Sequence, residues 1–360
     1  MKKILFSLGV AGAVSSAAAA PMDAFLSANP SSKPGEVQLE AAYDLVNRRV
    51  DVFNVRNSDS SFAGTNVGDY HGAHLRGGWA ISPRIWVDGG FWERRIDYRS
   101  DLAKIHSWQL AAQYKLVEGA GYQPSIALRL GAWGNYADEL KKSSSTTMQG
   151  VTLNSVSASK PKDNQYQLDL IGSSKVLDNL ELSMFAGVGH SKVSLDSVQG
   201  STTLNGCNYN LAFGPTEVVG TLAPPCSAGA VIDRFTVPNS LFGIDVNRET
   251  QYSARYYHGG LMLKWTLDDW QLRAGFEHQS FNRNHVDDII RSRGGATYKS
   301  NNILIGDISY KLFDNTAIFL RGQYMTNQFV GEIPFAYNTL TASRFNKHYG
   351  FISTGLVMTF

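Results

Sequence analysis

The stretch LMLKWTLDDWQLRAGF, residues 261–276, decides the fold of this 360-residue chain. On either side of residues 267–269, large apolar side chains alternate with small or polar ones, and the apolar positions are Leu261, Leu263 and Trp265, then Trp270, Leu272, Ala274 and Phe276. An apolar residue at every second position is typical of a β-strand whose two faces meet different surroundings. The stretch therefore predicts two antiparallel strands joined by a tight turn.

The same alternation recurs about twelve times between Val37 and Phe360. Short connections lie near residues 82, 118–124, 177–179, 267–269 and 313–315, and longer ones near residues 48–67, 97–102, 138–162, 195–250, 282–299 and 329–346. Short turns at one end and long loops at the other are typical of a transmembrane β-barrel. We predict an all-β fold, an antiparallel transmembrane barrel of about 12 strands over residues 36–360, with short periplasmic turns and long extracellular loops.

The first residues have the pattern of an export signal. Met1, Lys2 and Lys3 form a basic start, an apolar stretch follows to Val14, and small residues follow to Ala20. This order predicts a cleaved signal peptide over residues 1–19, and then a periplasmic segment over residues 20–35. The rival interpretation is a membrane anchor, but the apolar stretch is shorter than the roughly 20 residues that a spanning helix needs.

The composition fits strands in lipid. Charged residues make up 18 % of the chain, and Gly (34), Tyr (16) and Phe (18) are abundant. The mean hydropathy of -0.19 predicts no spanning helix after the signal. The net charge of +2 gives no reason to expect a nucleic-acid partner.

The end of the chain carries a resemblance. Ile352, Thr354, Leu356, Met358 and Phe360 alternate up to an aromatic last residue. This ending resembles the assembly signal of Gram-negative outer-membrane β-barrels, the porin-like superfamily, although the loops match no specific family within it. The resemblance implies an outer-membrane location, reached by Sec export, and partners in periplasmic chaperones, the barrel-assembly machinery, and outer-membrane lipid and lipopolysaccharide.

Charged residues at inward-facing positions are candidates for the lining or constriction of a lumen. They are Arg76, Asp88, Lys115, Arg129, Asp169, Glu181, Lys264, Arg273, Glu277, Asp307 and Arg321, with Glu40 and Asp44 at further inward positions. Because the signs nearly balance, they fit a weakly selective channel for passive diffusion of small hydrophilic solutes. They also fit a salt-bridged interior that only holds the wall together. Either a monomer or a homo-oligomer is compatible with the pattern.

The two cysteines, Cys207 and Cys226, lie in the long connection 195–250. In an oxidising compartment this predicts a disulfide. No histidine lies near enough in sequence to suggest a metal site, and no motif indicates a cofactor.

One group of residues suggests a catalytic site. His278 and Ser280 continue an outward face, and Asn302 begins the outward face of the next strand. Outer-membrane phospholipase A has a similar His-x-Ser with an Asn on a neighbouring strand. The resemblance implies Ser280 as nucleophile, His278 as base and Asn302 as the residue that orients it. Phe281 departs from that family, which has Asn after the Ser. An open channel therefore remains the main hypothesis, with a lipid hydrolase and a surface structural or adhesion barrel as alternatives.

Overall fold

The computed structural model describes residues 33–46, 69–98, 101–119, 121–143, 145–148, 150–224, 232–243, 245–327, 330–339 and 348–360, together with Pro30, Cys226 and Ala342. The predicted signal peptide, residues 1–19, lies outside the described residues, as does most of the predicted periplasmic segment 20–35. No helix in the described part of the chain is long and apolar enough to span a membrane.

Twelve antiparallel strands close into a barrel, which confirms the predicted fold class. They are β1 (Val37–Val46), β2 (Asp69–Ser82), β3 (Ile85–Tyr98), β4 (Asp101–Val117), β5 (Ser125–Tyr136), β9 (Lys162–Leu177), β10 (Leu180–Ser194), β15 (Tyr252–Leu267), β16 (Trp270–Arg283), β17 (Ser300–Phe313), β18 (Thr316–Met325) and β19 (Tyr349–Thr359). The last strand pairs with the first, Gln38 opposite Thr359, so the wall has no free edge. Closure satisfies every ladder position, as a bilayer requires.

Burial alternates along each barrel strand. In β9, Asp163, Gln165, Gln167 and Asp169 are buried, whereas the residues between them are exposed. Leu110, Leu130 and Leu320 are among the apolar side chains that remain more than half exposed on the outside. The outer face is therefore apolar and the inner face polar, which is the reverse of a soluble protein and is typical of a barrel in lipid.

The connections follow the predicted asymmetry, with one exception. The connection near residues 97–102, predicted to be long, is a hairpin, because β3 runs to Tyr98 and this residue pairs with Asp101 at the start of β4. The alternation of these two strands simply continues past the predicted loop. With an even strand number, the short turns, the start of β1 and the end of β19 lie on the periplasmic side.

The connection 195–250 was predicted as a loop, and that prediction was wrong. Together with the connection after β5 it forms a seven-stranded sheet above the barrel, made of β6 (Glu139–Lys142), β7 (Thr146–Met148), β8 (Val151–Ser159), β11 (Ser197–Leu204), β12 (Cys207–Phe213), β13 (Glu217–Ala223) and β14 (Arg234–Pro238). β8 and β11 continue the β9–β10 ladder beyond the wall, since Ser159 pairs with Ser197 and Lys162 with Ser194. An apolar layer that includes Leu211 and Val218 stabilises the sheet.

Two short helices complete the extracellular side. α1 (Val246–Thr250) follows the sheet, and α2 (Val286–Ser292) lies between β16 and β17. The predicted disulfide is present: Cys207 and Cys226 are bonded, with Cα atoms 5.1 Å apart. It ties the first residue of β12 to the segment that follows β13.

Candidate functional site

The inner face of the wall carries charged side chains that contact one another. The eleven lining candidates all lie on the inner side of the wall; nine are buried, and Lys264 and Glu181 are 13 % exposed. The inward position follows from the strand period of two. The contacts between these side chains decide what the lumen can do.

Asp307 is the centre of the largest network. Its carboxylate accepts hydrogen bonds from Arg273 at 2.7 Å and from Arg321 at 3.0 Å. Arg321 also lies 3.4 Å from Glu40, which connects β18 to β1 across the seam of the barrel. Because these charges are removed from water, each one depends on its partners, and the loss of one would leave another buried and unpaired.

A second network lies beside the first, on β2, β3 and β5, where Arg76 is the cross-strand partner of Glu40. Asp88 accepts a hydrogen bond from Arg129 at 2.8 Å and lies 3.5 Å from Arg76. At the periplasmic end, Lys264 pairs with Glu181 at 2.7 Å across neighbouring strands. At least eight of the eleven lining charges therefore contact a charge of the opposite sign.

Two histidines each bridge two carboxylates, and neither was predicted from the sequence as a site residue. His74 lies 2.9 Å from Glu40 and 3.0 Å from Asp44. His258 lies 2.7 Å from Asp169 and 3.0 Å from Glu277. The available signal was parity, since each histidine occupies the same inward face as the acidic residues of the neighbouring strands.

The extracellular mouth is occupied by residues 330–335, a described part of the connection between β18 and β19. These six residues are buried inside the barrel, and the last two of them begin a 3-10 turn at Pro334–Ala336. Their main-chain oxygens accept hydrogen bonds from the wall: Asn301 to Val330 O (3.0 Å), Asn135 to Glu332 O (2.9 Å) and Tyr252 to Pro334 O (2.7 Å). We refer to residues 330–339 as the mouth loop.

Charged contacts hold the mouth loop on two sides. Glu332 forms an ion pair with Arg94 of β3 at 3.0 Å, and both side chains are buried. Tyr337 donates a hydrogen bond to Asp287 of α2 at 3.0 Å, and the Arg283 guanidinium lies 4.0 Å from the centre of its ring. The loop is therefore a packed part of the barrel interior.

Glu249 of α1 joins three extracellular segments. Its carboxylate accepts hydrogen bonds from Arg293 (2.6 Å), from the Asp245 N–H (2.7 Å) and from Thr339 of the mouth loop (2.7 Å). Burial by itself raises the pKa of Glu249, but these bonds outweigh it, and the pKa lies below its ordinary value of 4.5. The mouth loop is thus tied to a carboxylate that stays ionised near neutral pH.

The outward-facing constellation is partly assembled. His278 Nδ1 lies 2.7 Å from Asn302 Oδ1 on the neighbouring strand, which leaves Nε2 directed away from that bond. Ser280 is on the same exposed face, two residues along β16. Within the described residues, no hydrogen bond joins the Ser280 hydroxyl to His278. The structure therefore brings the predicted base and its orienting residue together, and does not join them to the predicted nucleophile.

The outside of the barrel has two aromatic levels. Trp79, Tyr114, Trp265 and Trp270 are half-exposed near the short turns, and Phe91, Tyr136, Tyr166 and Tyr257 near the opposite end. Such girdles mark the two membrane interfaces. With the closed wall and the apolar outer face, they make the chain an outer-membrane β-barrel.

Comparisons with known proteins do not name a family within that class. No family model matches the chain, and no curated protein matches it. Similar solved structures include the translocator domain of the autotransporter NalP from Neisseria meningitidis, with a TM-score of 0.46, 10 % identity, and coverage of 91 % of this chain and 88 % of that one. At this level of likeness a structure assigns no function.

Two further solved structures resemble the chain at a similarly low level. The NanC porin has a TM-score of 0.40 and 7 % identity, over 89 % of this chain and 98 % of that one. Outer membrane phospholipase A from Escherichia coli has a TM-score of 0.32 and 11 % identity, over 91 % and 96 %. Porins, an autotransporter domain and a phospholipase are thus all among the similar barrels, and the function has to be argued from this chain's own residues.

Proposed function

We propose that this barrel is a channel for small hydrophilic solutes that is closed at rest by its mouth loop. The observation that carries the proposal is the position of residues 330–335 inside the extracellular mouth. A loop that serves only to connect two neighbouring strands runs over the surface. This one instead contacts Asn135 of β5, Tyr252 of β15 and Asn301 of β17.

The contacts of the mouth loop suit a reversible closure. Most of its bonds to the wall are made by its main chain, so their loss leaves polar groups that water in an open mouth can satisfy. The exception is Glu332, whose buried pair with Arg94 has to separate when the loop leaves. Opening is therefore rare at rest, and it becomes frequent when that pair or the Glu249 contact is broken.

Below the mouth loop, the paired charges act as the constriction. Asp88 lies between Arg76 and Arg129, and Asp307 lies between Arg273 and Arg321. Charges in a narrow, poorly screened lumen act strongly on passing ions. Because both signs are present, we expect selection by size more than by charge.

Planar-bilayer recordings test the proposal. We expect rare, brief current steps from the wild-type chain, and steady current from a variant in which residues 330–339 are replaced by a short Gly-Ser linker. Ser280→Ala, which changes only the outer face, is the matched control and should conduct like the wild type. A linker variant that folds and inserts but conducts no more than lipid alone would overturn the proposal.

A second function is favoured by one observation, the 2.7 Å contact between His278 and Asn302. In a lipid hydrolase, Asn302 would orient His278, and His278 would take the proton of the Ser280 hydroxyl. The missing hydrogen bond to Ser280 is common in catalytic sites without substrate. The exposed, lipid-facing position of both residues suits an enzyme whose substrate is a membrane lipid.

Fatty-acid release from phospholipid in detergent, with calcium supplied, tests this second function. Hydrolysis that Ser280→Ala and His278→Ala both abolish, with Gln279→Ala as a control on the inner face, would support it. Hydrolysis that survives Ser280→Ala would exclude it, since the nucleophile would then lie elsewhere.

A further inference from the structure

The lipid-facing wall contains a groove of about 930 Å³ that runs across β4, β5, β9, β10 and β15. The depression forms where the small residues Ala112 and Ala132 lie between larger side chains. Its walls are apolar and include Leu168, Val188 and Tyr257. Its upper end is bordered by His190 and Arg255, so the groove descends from a polar rim into the apolar belt.

The rim above the groove is cationic. His190 and Arg255 are cross-strand partners, and Lys192 follows His190 on the same outward face of β10. Lys162, at the top of β9, is the fourth basic residue on this rim. Side chains at neighbouring positions of adjacent strands lie within about 5–8 Å of one another at Cβ. The four side chains therefore form one cluster, which we call the rim cluster.

In the described part of the chain, the rim cluster is not neutralised by an ion pair. Among the described residues, no carboxylate forms an ion pair with Lys162, Lys192 or Arg255, and Asp163, the acidic residue nearest to Lys162 on β9, is buried on the inner face. Like charges on adjacent strands are unfavourable unless an anion lies between them. In contrast, Arg95 on the same rim pairs with Glu93 at 2.7 Å.

We propose that the groove and the rim cluster together bind one phosphorylated glycolipid of the outer leaflet, a lipopolysaccharide molecule. Its phosphates would contact Lys192, Arg255 and His190, and one acyl chain would lie along Ala132 and Ala112. The occupant is chosen by position and charge, because the rim lies at the headgroup level of the extracellular leaflet, and the cluster matches an anion that carries hydrocarbon chains. The site is independent of the lumen and of Ser280.

Titration of the full-length barrel in mild detergent with purified lipopolysaccharide tests the proposal, with binding followed by native mass spectrometry. We expect saturation at one glycolipid per barrel. The double variant Lys192→Gln/Arg255→Gln should weaken binding roughly 25-fold, because each cation near an anionic lipid contributes about a fivefold change. Ala132→Phe, which fills the groove and keeps every charge, should also weaken it.

The control is Arg95→Gln/Lys104→Gln, a pair of cross-strand cations on the same rim but outside the groove. It removes the same number of charges and should bind like the wild type. Equal weakening by both double variants would show unspecific attraction and overturn the site. Equal binding of dephosphorylated lipopolysaccharide or of phosphatidylglycerol would overturn the assignment of the occupant. Heat-modifiable migration of each variant checks that it is folded.

Discussion

The guanidinium of Arg94 on β3 lies 3.0 Å from the carboxylate of Glu332 in the mouth loop. Two strands along the wall, Asn135 of β5 donates a hydrogen bond to the main-chain oxygen of the same residue, and Tyr252 of β15 and Asn301 of β17 donate to other main-chain oxygens of the loop. The mouth loop is therefore held from several sides of the barrel at once. Its release requires these contacts to break together, which gives a closed state with a definite barrier.

The first prediction concerns this ion pair. Glu332→Gln removes the carboxylate that pairs with the buried Arg94 side chain, and the loss of one member costs roughly 3–5 kcal/mol in comparable buried pairs. We expect faster hydrogen exchange over residues 330–339 and a higher frequency of current steps. Glu93→Gln, which removes an exposed carboxylate from the outer face of the same strand, should change neither. Unaltered exchange in Glu332→Gln would show that the pair does not hold the loop.

The second prediction concerns the mid-barrel network. Asp307→Asn removes the common partner of Arg273 and Arg321 and should lower the unfolding temperature, read from the loss of the folded band when samples are heated to increasing temperatures before gel electrophoresis. Adding Arg273→Gln should recover part of the loss, because one buried charge fewer remains unpaired. Losses that simply add in the double variant would contradict a coupled network.

The third prediction concerns pH. Because the pKa of Glu249 is lowered in the folded state, its contribution is fully present above the ordinary value of 4.5 and is lost as pH falls below it through the lowered pKa. Protection of residues 330–339, corrected for intrinsic exchange rates, should therefore fall in this acidic range. Glu249→Gln should show weak protection at every pH. A wild-type loop equally protected at pH 3 and pH 7 would rule out this role.

The fourth prediction concerns the disulfide. Thiol labelling of the unreduced, denatured chain should find neither Cys207 nor Cys226 free. Cys207→Ser/Cys226→Ser should destabilise the extracellular sheet by about 3 kcal/mol, the expected value for a closed loop of roughly 20 residues. Proteolysis of the sheet should then precede cleavage of the barrel. Two labelled cysteines in the wild type would exclude the bond.

The fifth prediction concerns the last residue. The Phe360 N–H donates to Val37 O at 2.8 Å, and its ring is exposed at the periplasmic end of the seam. Deleting Phe360 should reduce the amount of folded, heat-modifiable protein in outer membranes, whereas Phe360→Tyr should assemble normally. A deletion variant at wild-type levels would count against an assembly signal formed by Leu356, Met358 and Phe360.

The sequence by itself determined the barrel and the side of the wall on which each strand residue lies. Successive side chains of a strand point to opposite faces, so the alternation around Trp265 and Trp270 already separates lipid-facing from lumen-facing positions. The same local rule extends to Arg129, Asp307 and the other lining charges. The disulfide also followed from residue type and compartment, because the chain has only two cysteines.

Only the tertiary structure decided which charges pair and where the long connections go. Glu40 contacts Arg321 because the barrel closes β1 against β19 and β18, and no local pattern encodes that proximity. The strands of the connection 195–250 form a sheet with β8, which comes from a different connection. Their apolar side chains form one buried layer only when β8 pairs with β11. The bonds from Asn135, Tyr252 and Asn301 to the mouth loop are accepted by its main-chain oxygens, which every residue carries. Arg94 meets Glu332 only once the barrel is closed, so no local pattern predicts the inward path.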